Sequence, residues 1–185
     1  MILRNASVDE QRVHGRARYR ERMKNSPRTR LPLKPDQESV WDYPRPPRIE
    51  AASERVVIEH EGRVIVDTTD AVRVLETSHP PAYYLLRSDF LPGVLTPAEG
   101  SSFCEYKGLA SYLSIGTAER AAWFYPKPSS GFELLADRIS LYPGQMDHCT
   151  INGETVIAQE GGFYGGWITA RIIGPFKGAP GTLGW

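Results

Sequence analysis

Between Arg55 and Ala158 the apolar residues fall in short β-branched and aromatic runs, cut apart by glycine, proline and Asn-Gly, a rhythm that suits strands and little else. RVVIE (55–59) and RVIVD (63–67) flank His60-Glu61-Gly62, a three-residue connection whose glycine can take the left-handed turn position, so a hairpin is expected. AVRVLE (71–76) resumes the alternation as a third strand, with a short helix as the alternative that pattern alone leaves open. KGLASYLSI, RAAWFYP, RISLYP and CTINGETVIA supply four more strands, the last folded tightly at Asn152-Gly153. Ser130-Gly131-Phe132-Glu133 has capping-box spacing, which predicts a short principal helix over 131–136.

A chain of 185 residues can bury one proper core. The expectation is a mainly β fold: a single domain of two antiparallel sheets with one or two short helices. The domain spans 39–185, and residues 1–38 form a basic, extended or disordered arm. From Ser26 to Pro47 the proline density predicts an extended lead-in, with Trp41 and Tyr43 large enough to dock and close the domain. The Gly- and aromatic-rich stretch from Glu160 onward should wrap the domain, its glycines serving as turns.

Charge and hydropathy exclude several classes. No apolar run approaches the ~20 residues a membrane-spanning helix requires, and charges in the first residues disfavour an export signal. Two cysteines are too few for a disulfide framework, so the expected location is cytoplasmic. Residues 1–30 carry nine Lys/Arg against three Asp/Glu, which leaves the remainder thirteen against nineteen. An acidic body argues against a nucleic-acid groove on the domain, since phosphate neutralisation dominates such binding. The arm reads as a solvated tail, with RNA, anionic lipid or an acidic protein as its alternative partners.

Two segments concentrate chemistry. Glu76-Thr77-Ser78-His79-Pro80-Pro81-Ala82-Tyr83-Tyr84 packs a carboxylate, two hydroxyls, an imidazole and two phenols into one stretch. Its two prolines would present those groups with little entropy left to lose. The competing reading is a loop that caps itself while the tyrosines fill the core. The second segment, Phe103 to Gly108, reads as the start of a strand with Cys104, Tyr106 and Gly108 on one face and Glu105 and Lys107 on the other. Cys104 is read first as a small apolar filler and second as a nucleophile. His148, beside Asp147, reads as a surface residue.

The strings ESVWDYPRPPRIE (38–50), RVLETSHPPAYYL (73–85), CEYKGLASYLSI (104–115), AAWFYP (121–126) and GPFKGAPGTLGW together resemble the domain of unknown function family numbered 427, formerly labelled nucleotidyltransferase-like. Cys104-Glu105-Tyr106-Lys107 departs from the CPWKG-like string common there, which shifts an aromatic platform onto Tyr106. The resemblance implies a compact, strongly bent, β-tent-like pair of sheets. It also implies a pocket between them formed by Glu76, His79, Tyr83, Lys107, Tyr112, Trp123 and Tyr125, with Ser78 in the same loop. Relatives of that architecture hold zinc through paired C-x-x-C motifs. This chain has none, and Cys104, Cys149, His79 and His148 lack ligand spacing, so neither a metal nor a cofactor is expected. The G-S and D-x-D pattern that would hold catalytic magnesium is missing too, so the nucleotidyltransferase label is set aside.

The expected function is binding of a small organic ligand in an aromatic and polar pocket. The alternative is an enzyme with Glu76 or His79 as general acid or base, Lys107 stabilising charge and Cys104 as nucleophile. A homodimer is carried as a further partner, and an interaction protein acting through the arm as a third class. GGFYGGW lacks the Lys-Ser/Thr of a phosphate loop and is read as turn chemistry.

Overall fold

The computed structural model describes residues 32–182 and 184–185; the basic arm expected over 1–38 lies almost wholly outside them. In chain order the strands are β1 (Glu38–Ser39), β2 (Arg48–Ala52), β3 (Val56–His60), β4 (Arg63–Thr68), β5 (Ala71–Leu75), β6 (Ala82–Leu86), β7 (Leu95–Cys104) and β8 (Gly108–Ile115). They continue with β9 (Ala118–Phe124), β10 (Arg138–Leu141), β11 (His148–Ile151), β12 (Glu154–Thr155), β13 (Ile157–Ala158), β14 (Trp167–Ile168) and β15 (Ile172–Ile173). A seven-stranded sheet runs β2-β5-β6-β10-β9-β8-β7, and a four-stranded sheet runs β12-β11-β3-β4. Every pairing in these two sheets is antiparallel. The fold is mainly β, as the alternation predicts.

The turns follow from backbone chemistry. Glu61 and Gly62 both have positive φ, and His60 pairs with Arg63, so this hairpin turns in two residues rather than three. Asn152 and Gly153 make the same kind of turn. A bulge between Ile58 and Glu59 leaves Ile65 opposite no partner, so Ile65 and its neighbour Val66 are both buried. The segment 131–136 departs from expectation: only a single 3-10 turn forms, at Glu133–Leu135, and no side chain caps it. The Glu133 carboxylate accepts from the Gly131 N–H, two residues away, and so closes a tight turn where a helix was expected.

The small sheet packs on one face of the large one. Val56, Ile58, Ile65, Val66, Cys149 and Ile151 from the small sheet meet Tyr83, Leu85, Leu113, Ile115, Ile139 and Leu141 from the large one, with Trp167 among them. These residues form a packed core between the two sheets, and the cavity described below opens on the other face of the large sheet. Side chains at the alternate positions, Val72, Val74, Tyr84, Ala110, Tyr112 and Trp123, form a second cluster on the opposite, outer face.

The large sheet is strongly bent. Laid flat, its edge strands β2 and β7 would stand roughly 29 Å apart at about 4.8 Å per strand. Yet Arg45, just before β2, donates to Tyr106 Oη at 3.3 Å and to Glu105 Oε1 at 3.2 Å, both in the turn after β7. The lead-in docks as expected: Tyr43 is buried, and Trp41 Nε1 donates to the Pro175 carbonyl while its ring meets Trp185. Buried Arg73 on β5 holds the carboxylates of Glu38 and Glu50. Among the described residues no helix is long and apolar enough to cross a membrane.

Candidate functional site

The outer face of the large sheet carries a cavity of about 470 Å³. Its floor is aromatic: Tyr84 from β6, Tyr112 from β8, Trp123 from β9, Tyr125 just beyond β9 and Tyr142 just beyond β10. These rings support one another. Trp123 Nε1 donates to Tyr84 Oη at 3.1 Å, and the Trp123 ring lies 4.7 Å from that of Tyr142. Burial raises the phenols of Tyr84 and Tyr125 well above the usual range and pushes Tyr142 up to about 12, so all three stay protonated.

One side of the rim is the turn after β5. The His79 N–H donates to the Glu76 carbonyl, and Ser78 between them has φ +68°. The Ser78 N–H donates to the Val40 carbonyl and its carbonyl accepts from the Lys177 N–H, so Ser78 is a buried fastening and does not line the cavity. Glu76 and His79 do line it. Gln159 fixes the imidazole. Its Oε1 accepts from the Gly166 N–H at 3.2 Å, so the other end of the amide is the donor. That nitrogen donates to the Lys177 carbonyl at 2.7 Å and to His79 Nδ1 at 3.1 Å. His79 Nδ1 is therefore an acceptor, and in the neutral ring the proton sits on Nε2. Burial, then the charges of Lys177, Lys107 and Arg45, push the imidazole down to about 4.

The opposite rim is the β7–β8 turn. The sequence reads FCEYKG as one strand, but Cys104 pairs with Gly108, so Glu105, Tyr106 and Lys107 form a hairpin loop and their alternation is void. Gly108, at φ +98°, supplies the conformation that lets the chain return. Lys107 is thereby folded inward, only 9 % exposed, with its Nζ 3.9 Å from Glu76 Oε2. Arg45 Nε lies 3.6 Å from the other Glu76 oxygen.

The third wall comes from the loop Gln159–Gly166 between β13 and β14, and it is where sequence reasoning missed most. Phe163, Tyr164, Gly165 and Gly166 line the cavity with Gln159 and Lys177, and the Tyr164 ring lies 4.8 Å from that of His79. A Cβ on Gly165 would overlap the Trp123 indole, and one on Gly166 would meet Gln159 and Pro80. These glycines are needed for close approach as well as for turning. Paired glycines flanking aromatics in GGFYGGW were the available signal.

Of the residues named from sequence, Glu76, His79, Cys104, Lys107, Tyr112, Trp123 and Tyr125 line one cavity. Tyr83 points to the inter-sheet core, where its ring packs 5.4 Å from Trp167; its neighbour Tyr84 takes the place foreseen for it. Tyr106, expected as an aromatic platform, lines the cavity too, and Arg45 and Tyr142 line it without having been foreseen there. Cys104 and Cys149 are free and lie on opposite faces of the large sheet. His148 is exposed on β11, bonded to Thr155. Among the described residues no three His, Cys, Asp or Glu converge on a metal position.

A family described as a domain of unknown function (DUF427) matches residues 48–152, more than half of the chain. The chain belongs to this family. No curated protein matches it. The DUF427 span holds the floor and both facing rims, from Glu76 and His79 to Lys107, Trp123 and Tyr125. Arg45, Tyr164 and the Gln159–Lys177 clamp lie outside it.

Proposed function

We propose that this DUF427 chain binds a small organic molecule in the cavity on the outer face of the large sheet. One observation carries the reading: about 470 Å³ stays open among side chains large enough to fill it. That size, with aromatic walls and a few convergent polar groups, is the usual build of a small-ligand site. The polar groups are also held in place beforehand, His79 by Gln159 and Trp123 by Tyr84 and Gly165, which reduces the entropy lost on binding. A cytoplasmic location is proposed with it, on the two unpaired thiols.

The enzyme reading has less behind it. With its Nδ1 engaged and its pKa near 4, His79 is a neutral donor and a weak base at neutral pH. Cys104 lies near the phenols of Tyr84 and Tyr125, which burial keeps protonated, so they provide it no base.

The test is mass spectrometry of small molecules released from natively purified protein, followed by thermal denaturation against a metabolite panel. Wild type is expected to be stabilised by at least one compound, and His79→Ala and Trp123→Ala to lose that stabilisation while remaining folded by circular dichroism. Equal shifts in all three proteins would defeat the reading.

A further inference from the structure

We propose that the ligand is an aromatic monocarboxylate, its carboxylate taken by Lys107 Nζ and His79 Nε2–H and its ring laid against Trp123, Tyr112 and Tyr142. This deepens the binding reading and rests on it.

Lys107 supplies the charged donor. Its ammonium offers three donors, yet among the described residues it makes no hydrogen bond. Its one acidic neighbour, Glu76, stands beyond hydrogen-bonding range at 3.9 Å and is shared with Arg45. A cation nine-tenths buried is costly without a close counter-charge. The other two cations on the cavity wall are occupied. Lys177 Nζ donates to the Trp185 carbonyl at 2.6 Å, and Arg45 donates to Tyr106 and Glu105. One ammonium is left facing the opening.

His79 adds a second donor. Gln159 holds Nδ1 as an acceptor, which leaves Nε2–H without a partner among the described residues, and that nitrogen is not among the enclosed, unpartnered atoms. The ring lines the cavity, which puts that donor at its wall. Two donors, one of them charged, ask for an acceptor group carrying a single negative charge. A phosphate would bring a second charge towards Glu76. An aromatic wall can also hold an organic cation, but here Arg45, Lys107 and Lys177 repel one.

Calorimetric titration of the full chain with four probes of one ring system decides the matter: 2-naphthoate, 2-naphthamide, 2-naphthylmethylammonium and 2-naphthyl phosphate. Naphthoate is expected to bind tightest. Lys107→Met should weaken naphthoate by about tenfold or more and leave naphthamide within about twofold, while Lys107→Arg restores part of the loss. Circular dichroism and the retained naphthamide binding verify that the variants fold. Naphthamide or the ammonium binding as well as naphthoate, or Lys107→Met weakening all probes alike, overturns the carboxylate while the binding reading stands. A tighter phosphate overturns the single charge. No binding of any probe at millimolar concentration to folded wild type overturns the aromatic carboxylate, and the metabolite panel decides the binding reading separately.

Discussion

The two faces of the seven-stranded sheet are built from alternate residues of the same strands, and they have opposite outcomes. The inner face sends Leu85, Leu113, Ile139 and Leu141 against a second sheet and is filled. The outer face sends Tyr84, Tyr112 and Trp123 towards a loop and is left open. Branched aliphatic side chains interdigitate and close a gap. Flat rings edge against one another, as Tyr84 and Trp123 do at 88°, and the gap persists. The aliphatic face supplies stability, and the aromatic face offers room for a ligand.

Breaking that division should be costliest inside. Leu85→Ala is expected to lower the unfolding free energy by about 2–5 kcal/mol in urea denaturation, with probe affinity of the folded fraction unchanged.

The next effect belongs to the outer face and depends on pH. His79 is depressed from 6.5 to about 4 in the folded chain, so between those values the unfolded chain binds more protons. Stability is therefore full above pH 6.5, falls as pH drops through the window and levels off below 4, a loss on the order of 3 kcal/mol. His79→Gln should flatten this slope in urea titrations at pH 7, 5.5 and 4; an unchanged slope would place the acid sensitivity elsewhere.

Gln159→Leu follows, at about 1–3 kcal/mol, because it strips the Gly166 N–H and His79 Nδ1 of their partner. Imidazole nitrogen shifts should then move away from the Nε2–H tautomer.

The last prediction carries no stability change. Iodoacetamide under native conditions should label Cys104, which lines the open face, and spare Cys149, whose thiol burial pushes up to about 12. Equal labelling would mean that the inner face opens.

How much of this was legible depends on which interactions are local. Alternation and Asn152-Gly153 reveal strands and hairpins because both act between neighbours. Glu76 and His79 were found because one rigid stretch holds them. Tyr83 and Tyr84 were not separable, since in AYYLL both faces are buried and no polar position marks the phase. Lys107 was expected at the cavity and lines it, but the strand face read for it was wrong, because a three-residue turn interrupted an apparent alternation. Gln159, eighty residues from the imidazole it fixes, has no local signature.

Gly165 and Gly166 make part of the cavity's perimeter out of main chain. Peptide groups have one shape, so that stretch of wall cannot be recontoured by exchanging side chains: a Cβ would overlap the Trp123 indole at Gly165 and Gln159 and Pro80 at Gly166. An engineer wishing to reshape that cavity is left with Tyr112, Tyr142 and Tyr164, and starts from a space already sized on one side by its backbone.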